Sequence, residues 1–208
     1  MARMSGEELE EREVLEELVA ETREVLRARA VRHFDPPIQL ASGQMSRFFV
    51  DGKAGLARAG DLRLACRALH GLVEGAGIDY DAVGGLTLGA DHLAVGTALV
   101  ADKAWFIVRK EAKGRGTGRL IEGAELGPGI RVLVVEDVVS TGGSLLNAID
   151  AIAATGAEVV AAATLLDRGG SAAETLERRG IPYFAITSHA DFGMPPVAPA
   201  STATGTGS

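Results

Sequence analysis

Val132-Leu-Val-Val-Glu-Asp-Val-Val-Ser-Thr-Gly-Gly-Ser144 decides how the rest of the chain is read. An apolar run reaches two adjacent carboxylates, Glu136 and Asp137, and then a loop of small residues, Ser140-Thr141-Gly142-Gly143-Ser144. A helical pattern follows. In open α/β sheets ligands gather beyond the carboxyl ends of the strands. The amides of a small-residue loop at a helix N-terminus make an anion cradle, to which the helix dipole adds. Two acids beside such a cradle repel a phosphate unless they serve another part of the same ligand. Carboxylates accept hydrogen bonds from vicinal hydroxyls, so a ribose 5-phosphate matches both halves. The stretch is neither a Walker loop nor a dinucleotide fingerprint.

Outward from it, apolar strand patterns fall at 82–86, 105–108, 131–135, 159–166 and 183–187, with helical patterns at 91–101, 144–154 and 172–179. That alternation predicts an α/β fold with a central parallel sheet of about five strands flanked by helices. Upstream, Leu15, Leu18, Val19, Thr22, Val25 and Leu26 predict an amphipathic helix over about 7–30, which Asp35-Pro36-Pro37 ends. Ile38–Leu40 and Arg47–Val50 read as short strands about the turn 41–44, and a helix is expected from about Arg58 to Glu74. Residues 1–194 form one domain in this reading, with an N-terminal helix and hood over about 1–57 and a core over about 58–194. The tail 195–208, rich in Pro, Ala, Ser, Thr and Gly, is expected to be disordered.

Bulk properties narrow the function. The chain has 208 residues and a net charge of −7, which argues against nucleic acid or an anionic membrane as partner. Its 27 glycines are nearly twice the usual share, as expected of many turns and close backbone approaches. The single cysteine, Cys66, allows no intrachain disulfide and reads as a small core residue. No apolar run approaches the ~20 residues that span a bilayer, and the charged first residues do not resemble a signal peptide, so a cytoplasmic location is expected. His33, His70, His92 and His189 show no zinc spacing. His92, beside Gly84–Asp91, reads first as a helix-start residue and second as a ligand neighbour, and Trp105 and Phe106 read as core.

Val132–Ser144 resembles the phosphoribosyl diphosphate motif of the type I phosphoribosyltransferases. The resemblance implies that Glu136 and Asp137 bind the ribose hydroxyls, and that Val138, Val139, Ser140, Thr141, Gly142, Gly143 and Ser144 surround the 5-phosphate. Three further segments resemble the orotate enzymes of that family. Arg109-Lys-Glu-Ala-Lys-Gly-Arg115 carries four cations in seven residues on a glycine-rich segment, suited to capturing a diphosphate. It looks like the catalytic loop that closes over the neighbouring subunit's site. This implies a homodimer in which loop 109–119 acts in trans through Arg109, Lys110, Lys113 and Arg115. Leu40–Asp51 is similar to the hairpin that places two aromatics, here Phe48 and Phe49, beside the pyrimidine; either may instead be plain packing. Arg168, closing Leu165-Leu-Asp-Arg168, matches an arginine used on orotate, whose carboxylate a guanidinium can grip with two hydrogen bonds. Ser140 is expected to touch the base as well.

The family resemblance thus implies transfer of the ribose 5-phosphate group of 5-phosphoribosyl 1-diphosphate to orotate, giving orotidine 5′-monophosphate and diphosphate in pyrimidine biosynthesis. Lys113, Asp137 and Arg115 are the catalytic candidates, and magnesium enters through substrate and water with no direct protein ligand. Three positions depart from the commoner pattern. Ala41 and Gly89 stand where members often carry lysine, and Arg115 where histidine is common. Arginine keeps its charge but is no proton donor at neutral pH. Two other readings fit less of the chain: a phosphoribosyltransferase for another base, which needs no Arg168, and a non-catalytic sensor of phosphoribosyl diphosphate.

Overall fold

The structure, a computed structural model, describes residues 5–39, 45–111 and 119–197. It opens on α1 (Gly6–Arg29), whose start is fixed by a capping box. The Glu8 amide donates to Ser5 Oγ at 3.2 Å, and the Ser5 amide donates to Glu8 Oε2 at 2.6 Å. Glu7 and Glu8 in the first turn and Arg27 and Arg29 in the last oppose the helix dipole. One stripe, containing Thr22 and Leu26, is buried against the core.

A two-stranded antiparallel sheet follows, made of β1 (Val31–Gln39) and β2 (Met45–Val50). Both strands begin earlier than the sequence pattern suggested. Val31 pairs with Val50 and His33 with Phe48, but Ile38 then pairs with Ser46, so the register slips across Phe34–Pro37. Pro36 and Pro37 have no N–H to donate, and the strand bulges there instead of stopping.

Next come α2 (Gly52–Gly55) and α3 (Ala59–Glu74). The main sheet contains β3 (Ala82–Leu86), β4 (Ala104–Val108), β5 (Ile121–Gly123), β6 (Arg131–Val139), β7 (Glu158–Asp167) and β8 (Tyr183–Ser188), in the order β5-β4-β3-β6-β7-β8. The helices α4 (Asp91–Ala101), α5 (Gly143–Ala153) and α6 (Ala172–Arg178) alternate with these strands. All pairings are parallel except that of β5 with β4. The five parallel strands are those expected from the pattern. The edge strand β5 is an addition, too short to carry a period.

Side chains of β6 alternate between two cores. Leu133 and Val135 pack with Leu26, Leu69, Leu93 and Leu165 on one face, and Val132 and Val134 pack with Phe106, Leu145, Ile149 and Leu176 on the other. Leu133→Ala in this fully buried layer is expected to cost about 2–5 kcal/mol. Cys66 is buried on α3 as expected, and burial pushes its thiol up to about 11. Trp105 departs from expectation. Phe106 is fully buried, but Trp105 points to the other face of β4 and stays 42% exposed, covered only partly by Gly123 of the short edge strand. No helix among the described residues is long and apolar enough to cross a membrane.

Candidate active site

Sequence order along the sheet reverses between β3 and β6, which makes the ends of these strands a topological switch point. Glu136 and Asp137 stand there, within β6 rather than beyond it, because Val138 and Val139 continue the ladder to Leu166 and Asp167 of β7. The Thr164 hydroxyl lies 3.0 Å from the Glu136 carbonyl oxygen and 3.4 Å from that of Asp137, tying the acid pair to β7.

The two acids are not equivalent. Glu136 is 5% exposed, and burial, followed by the neighbouring Asp137 charge, pushes its carboxyl up to about 8. Asp137 is the more accessible. Its Oδ1 accepts from the Val138 amide at 2.8 Å, and its Oδ2 lies 3.4 Å from Lys53 Nζ. Burial thus disfavours charge on Glu136, the more enclosed of the two.

Glycines bring the neighbouring backbone against this pair. A Cβ on Gly89, in the turn between β3 and α4, would lie 2.4 Å from Glu136 Oε1 and 2.7 Å from Asp137 Oδ1. A Cβ on Gly52 would lie 3.0 Å from Asp137 Cβ. Gly89 is thus a close-approach position with the carboxylates as they stand.

Below the acids, Ser140 to Ser144 lead into α5. Gly142 is the N-cap with φ +85°, a left-handed conformation that glycine adopts without Cβ strain. No side chain caps this helix and its first turn holds no acid. The first i to i−4 bond runs from the Leu146 amide to the Gly142 carbonyl at 2.9 Å. The amides of Gly143, Ser144 and Leu145 thus have no acceptor within the helix, as an anion site requires. The segment after β7 supports the loop: Gly170 lies against the Ser140 carbonyl, and Ser171 Oγ lies 3.5 Å from the Thr141 carbonyl.

Arg168 starts that supporting segment. Its amide donates to the Val139 carbonyl at 2.8 Å, and its carbonyl accepts from the Val197 amide at 2.8 Å, which places the residue beside the phosphate loop. It is 4% exposed, and its Nε has no hydrogen-bond partner among the described residues. Burial lowers its affinity for a proton from the ordinary value, though a guanidinium stays charged.

On the far side of Asp137 opens a cavity of about 750 Å³, lined by Lys53, Thr87, Leu88, Gly89, Arg109 and Lys110 among others. Arg109 follows β4 and pairs with Glu122 of β5 at 3.1 Å, while Lys110 is exposed. Phe48 and Phe49 occupy opposite faces of β2 and neither is fully buried; Phe48 packs edge-on against His33, with ring centres 5.3 Å apart. The fold therefore groups Glu136, Asp137, the Ser140–Ser144 loop and Arg168 at the ends of adjoining strands, with Arg109 and Lys110 on the cavity wall. Lys113, Arg115 and Ala41 lie outside the described residues.

Lys53 had not been singled out for this position, and His92 had been read as a ligand neighbour only second. Lys53 reaches Asp137 across 84 positions of sequence. His92, on the first turn of α4, has a buried Nε2 without a partner among the described residues, and burial keeps its ring below the ordinary imidazole range despite the Asp137 charge. Lys53 carried one faint signal, a cation directly after the hairpin and the α2 N-cap Asp51.

The sheet order, the acid pair and the uncapped loop together define a protein of the phosphoribosyltransferase class. The phosphoribosyl transferase domain family matches residues 64–194. Orotate phosphoribosyltransferase of Corynebacterium glutamicum is 41% identical over 179 residues, covering 84% of this chain and 94% of its own length. The Mycobacterium tuberculosis orotate phosphoribosyltransferase is 40% identical over 177 residues, covering 84% of this chain and 96% of its own. A crystal structure of the M. tuberculosis enzyme with Fe(III) dicitrate superposes with TM-score 0.72 at 39% identity, covering 85% of this chain and 99% of that one. Another, in complex with 5-phospho-α-D-ribosyl 1-diphosphate, gives TM-score 0.69 at 36% identity, covering 85% and 99%. The chain belongs to the orotate phosphoribosyltransferase family.

Proposed function

We infer that this protein is an orotate phosphoribosyltransferase, joining the ribose 5-phosphate group of phosphoribosyl diphosphate to orotate with release of diphosphate. The observation that carries the orotate half is Arg168, a buried guanidinium with an unpartnered Nε beside the phosphate loop. A buried donor of this kind favours a planar anionic ligand that returns the hydrogen bonds lost on burial. Purine and uracil acceptors have no carboxylate to offer it.

Roles follow from position. The free amides of Gly143 to Leu145 take the 5-phosphate, so binding energy remote from the reacting carbon holds the ribose in place. Asp137 accepts from the ribose hydroxyls, and its charge favours the positive character that develops on the ribose ring as diphosphate departs. Glu136, held largely protonated near neutral pH, contributes a neutral carboxyl to the same hydroxyls. Arg109 and Lys110, with Lys113 and Arg115 of the loop, neutralise the leaving group. Phe48 and Phe49 flank the pyrimidine. One part-exposed carboxylate beside a lysine fits magnesium carried in on the diphosphate better than an ion fixed by the protein. When bound, that ion spreads the negative charge of the leaving group.

The reading extends to a homodimer in which loop 109–119 covers the neighbour's site, and to a cytoplasmic protein. Supporting the dimer are the resemblance of that loop and the exposed apolar Leu99 and Trp105. A lone buried thiol suits a reducing compartment. Arg168→Ala tests the orotate assignment: the Michaelis constant for orotate is expected to rise roughly tenfold to a hundredfold while that for phosphoribosyl diphosphate stays within about twofold. An unchanged orotate constant would mean that the carboxylate is held elsewhere.

A further inference from the structure

We propose that Lys53 is a diphosphate-binding residue that supplies the cation missing from the β3–α4 turn, exchanging its free-state partner Asp137 for the substrate. This rests on the cavity beside Asp137 being the phosphoribosyl diphosphate site. The turn itself offers no charge. Thr87, Leu88, Gly89 and Ala90 are all neutral, Leu88 is 71% exposed, and Gly89 lies so close to both carboxylates that a Cβ would press on their oxygens. A cation for this side of the cavity must come from another element, and α2 provides one.

Lys53 lines the same cavity as Gly89, Arg109 and Lys110. Its ammonium lies 3.4 Å from Asp137 Oδ2 and 3.7 Å from Asp51 Oδ1. Both separations exceed the ~2.7–2.9 Å of a tight charge-assisted hydrogen bond, so neither partner holds the ammonium firmly. Its side chain is 52% exposed on a flexible four-carbon stem. Its base, by contrast, is fixed. Asp51 caps α2 by accepting from the Ala54 amide at 3.1 Å, and Gly52 packs against Asp137.

In the free protein Lys53 partly neutralises Asp137, the more accessible of the paired acids. A diphosphate entering the cavity presents more negative charge than a single carboxylate and draws the ammonium away. Asp137 is thereby released to accept from the ribose hydroxyls of the same molecule. One lysine thus screens the acid while the site is empty and holds the leaving group once it is full.

The test compares two ligands that share the ribose 5-phosphate and differ in the diphosphate. Calorimetric titration of the full chain with phosphoribosyl diphosphate plus magnesium, and separately with ribose 5-phosphate, is made on wild type, Lys53→Ala, Lys53→Gln and Lys53→Arg. Alanine and glutamine are expected to weaken phosphoribosyl diphosphate binding roughly tenfold to a hundredfold. Ribose 5-phosphate binding should stay within about twofold or tighten, because Asp137 is already free, and arginine should stay near wild type for both. Equal weakening of both ligands would make Lys53 a support for Asp137 and overturn the proposal, as would no change in either. Orotate turnover by the wild-type protein judges the parent reading separately, since these titrations involve no base.

Discussion

The two ends of the proposed phosphoribosyl site offer a phosphate different partners. At the α5 end these are backbone amides of a small-residue loop, braced by the segment after β7, with no charged side chain in the helix's first turn. At the cavity end they are long cationic side chains, Lys53, Arg109 and Lys110, each on or beside a turn. The 5-phosphate is an anchor, retained from substrate to product, and a rigid amide cradle suits it. The diphosphate must be gripped as it gains charge and then let go, and flexible cations suit that. Asp137 stands between the two ends, with Val138 on one carboxylate oxygen and Lys53 beside the other.

Because Asp137 is proposed to serve both halves, its loss is expected to have the largest effect. Asp137→Asn should lower kcat roughly a hundredfold to a thousandfold, read by steady-state assay, without loss of fold by circular dichroism. A drop confined to KM would make it a binding residue only. Next, Gly89→Lys places a cation on the β3–α4 turn. If this end were only short of charge, activity would rise. The contact of a new Cβ with Glu136 and Asp137 instead predicts a fall of roughly tenfold or more in kcat/KM.

Gly142→Ala probes the rigid end. A side chain at φ +85°, with its Cβ 2.7 Å from that of Ala172, is expected to cost about 1–3 kcal/mol in denaturant unfolding and to weaken ribose 5-phosphate binding. Unaltered ribose 5-phosphate affinity would separate the loop from the phosphate. The smallest effect belongs to Glu136→Gln. Glu136 releases its proton near 4.5 when unfolded and near 8 when folded. Between those values the folded chain holds a proton that the unfolded chain gives up, so stability falls as pH rises through that window and levels off above it. Glutamine removes the dependence. The variant's Tm advantage over wild type should therefore be greater at pH 8.5 than at pH 5.

What was legible in the sequence follows the same division. The anchor end is built from consecutive residues, strand, acid pair, loop and helix, so local pattern alone placed Glu136 to Ser144. The five parallel strands were legible because each is an apolar run between helical periods. The cavity end is assembled from distant pieces. Lys53 finds Asp137 only through folding, and His92, read first as a helix-start residue, needs the fold to bring it near the acids. The three-residue β5 has no period to read, and Trp105 reads as core by its neighbours but lies at a poorly covered edge. Gly89 looked like a missing lysine, and only the fold shows how closely its backbone approaches the two carboxylates.

The most direct test of the whole account follows orotate absorbance with purified protein, magnesium and phosphoribosyl diphosphate, alongside adenine, guanine and uracil as alternative acceptors. The account predicts consumption of orotate with stoichiometric diphosphate and no comparable turnover of the other three. Turnover of adenine, guanine or uracil without orotate would contradict it.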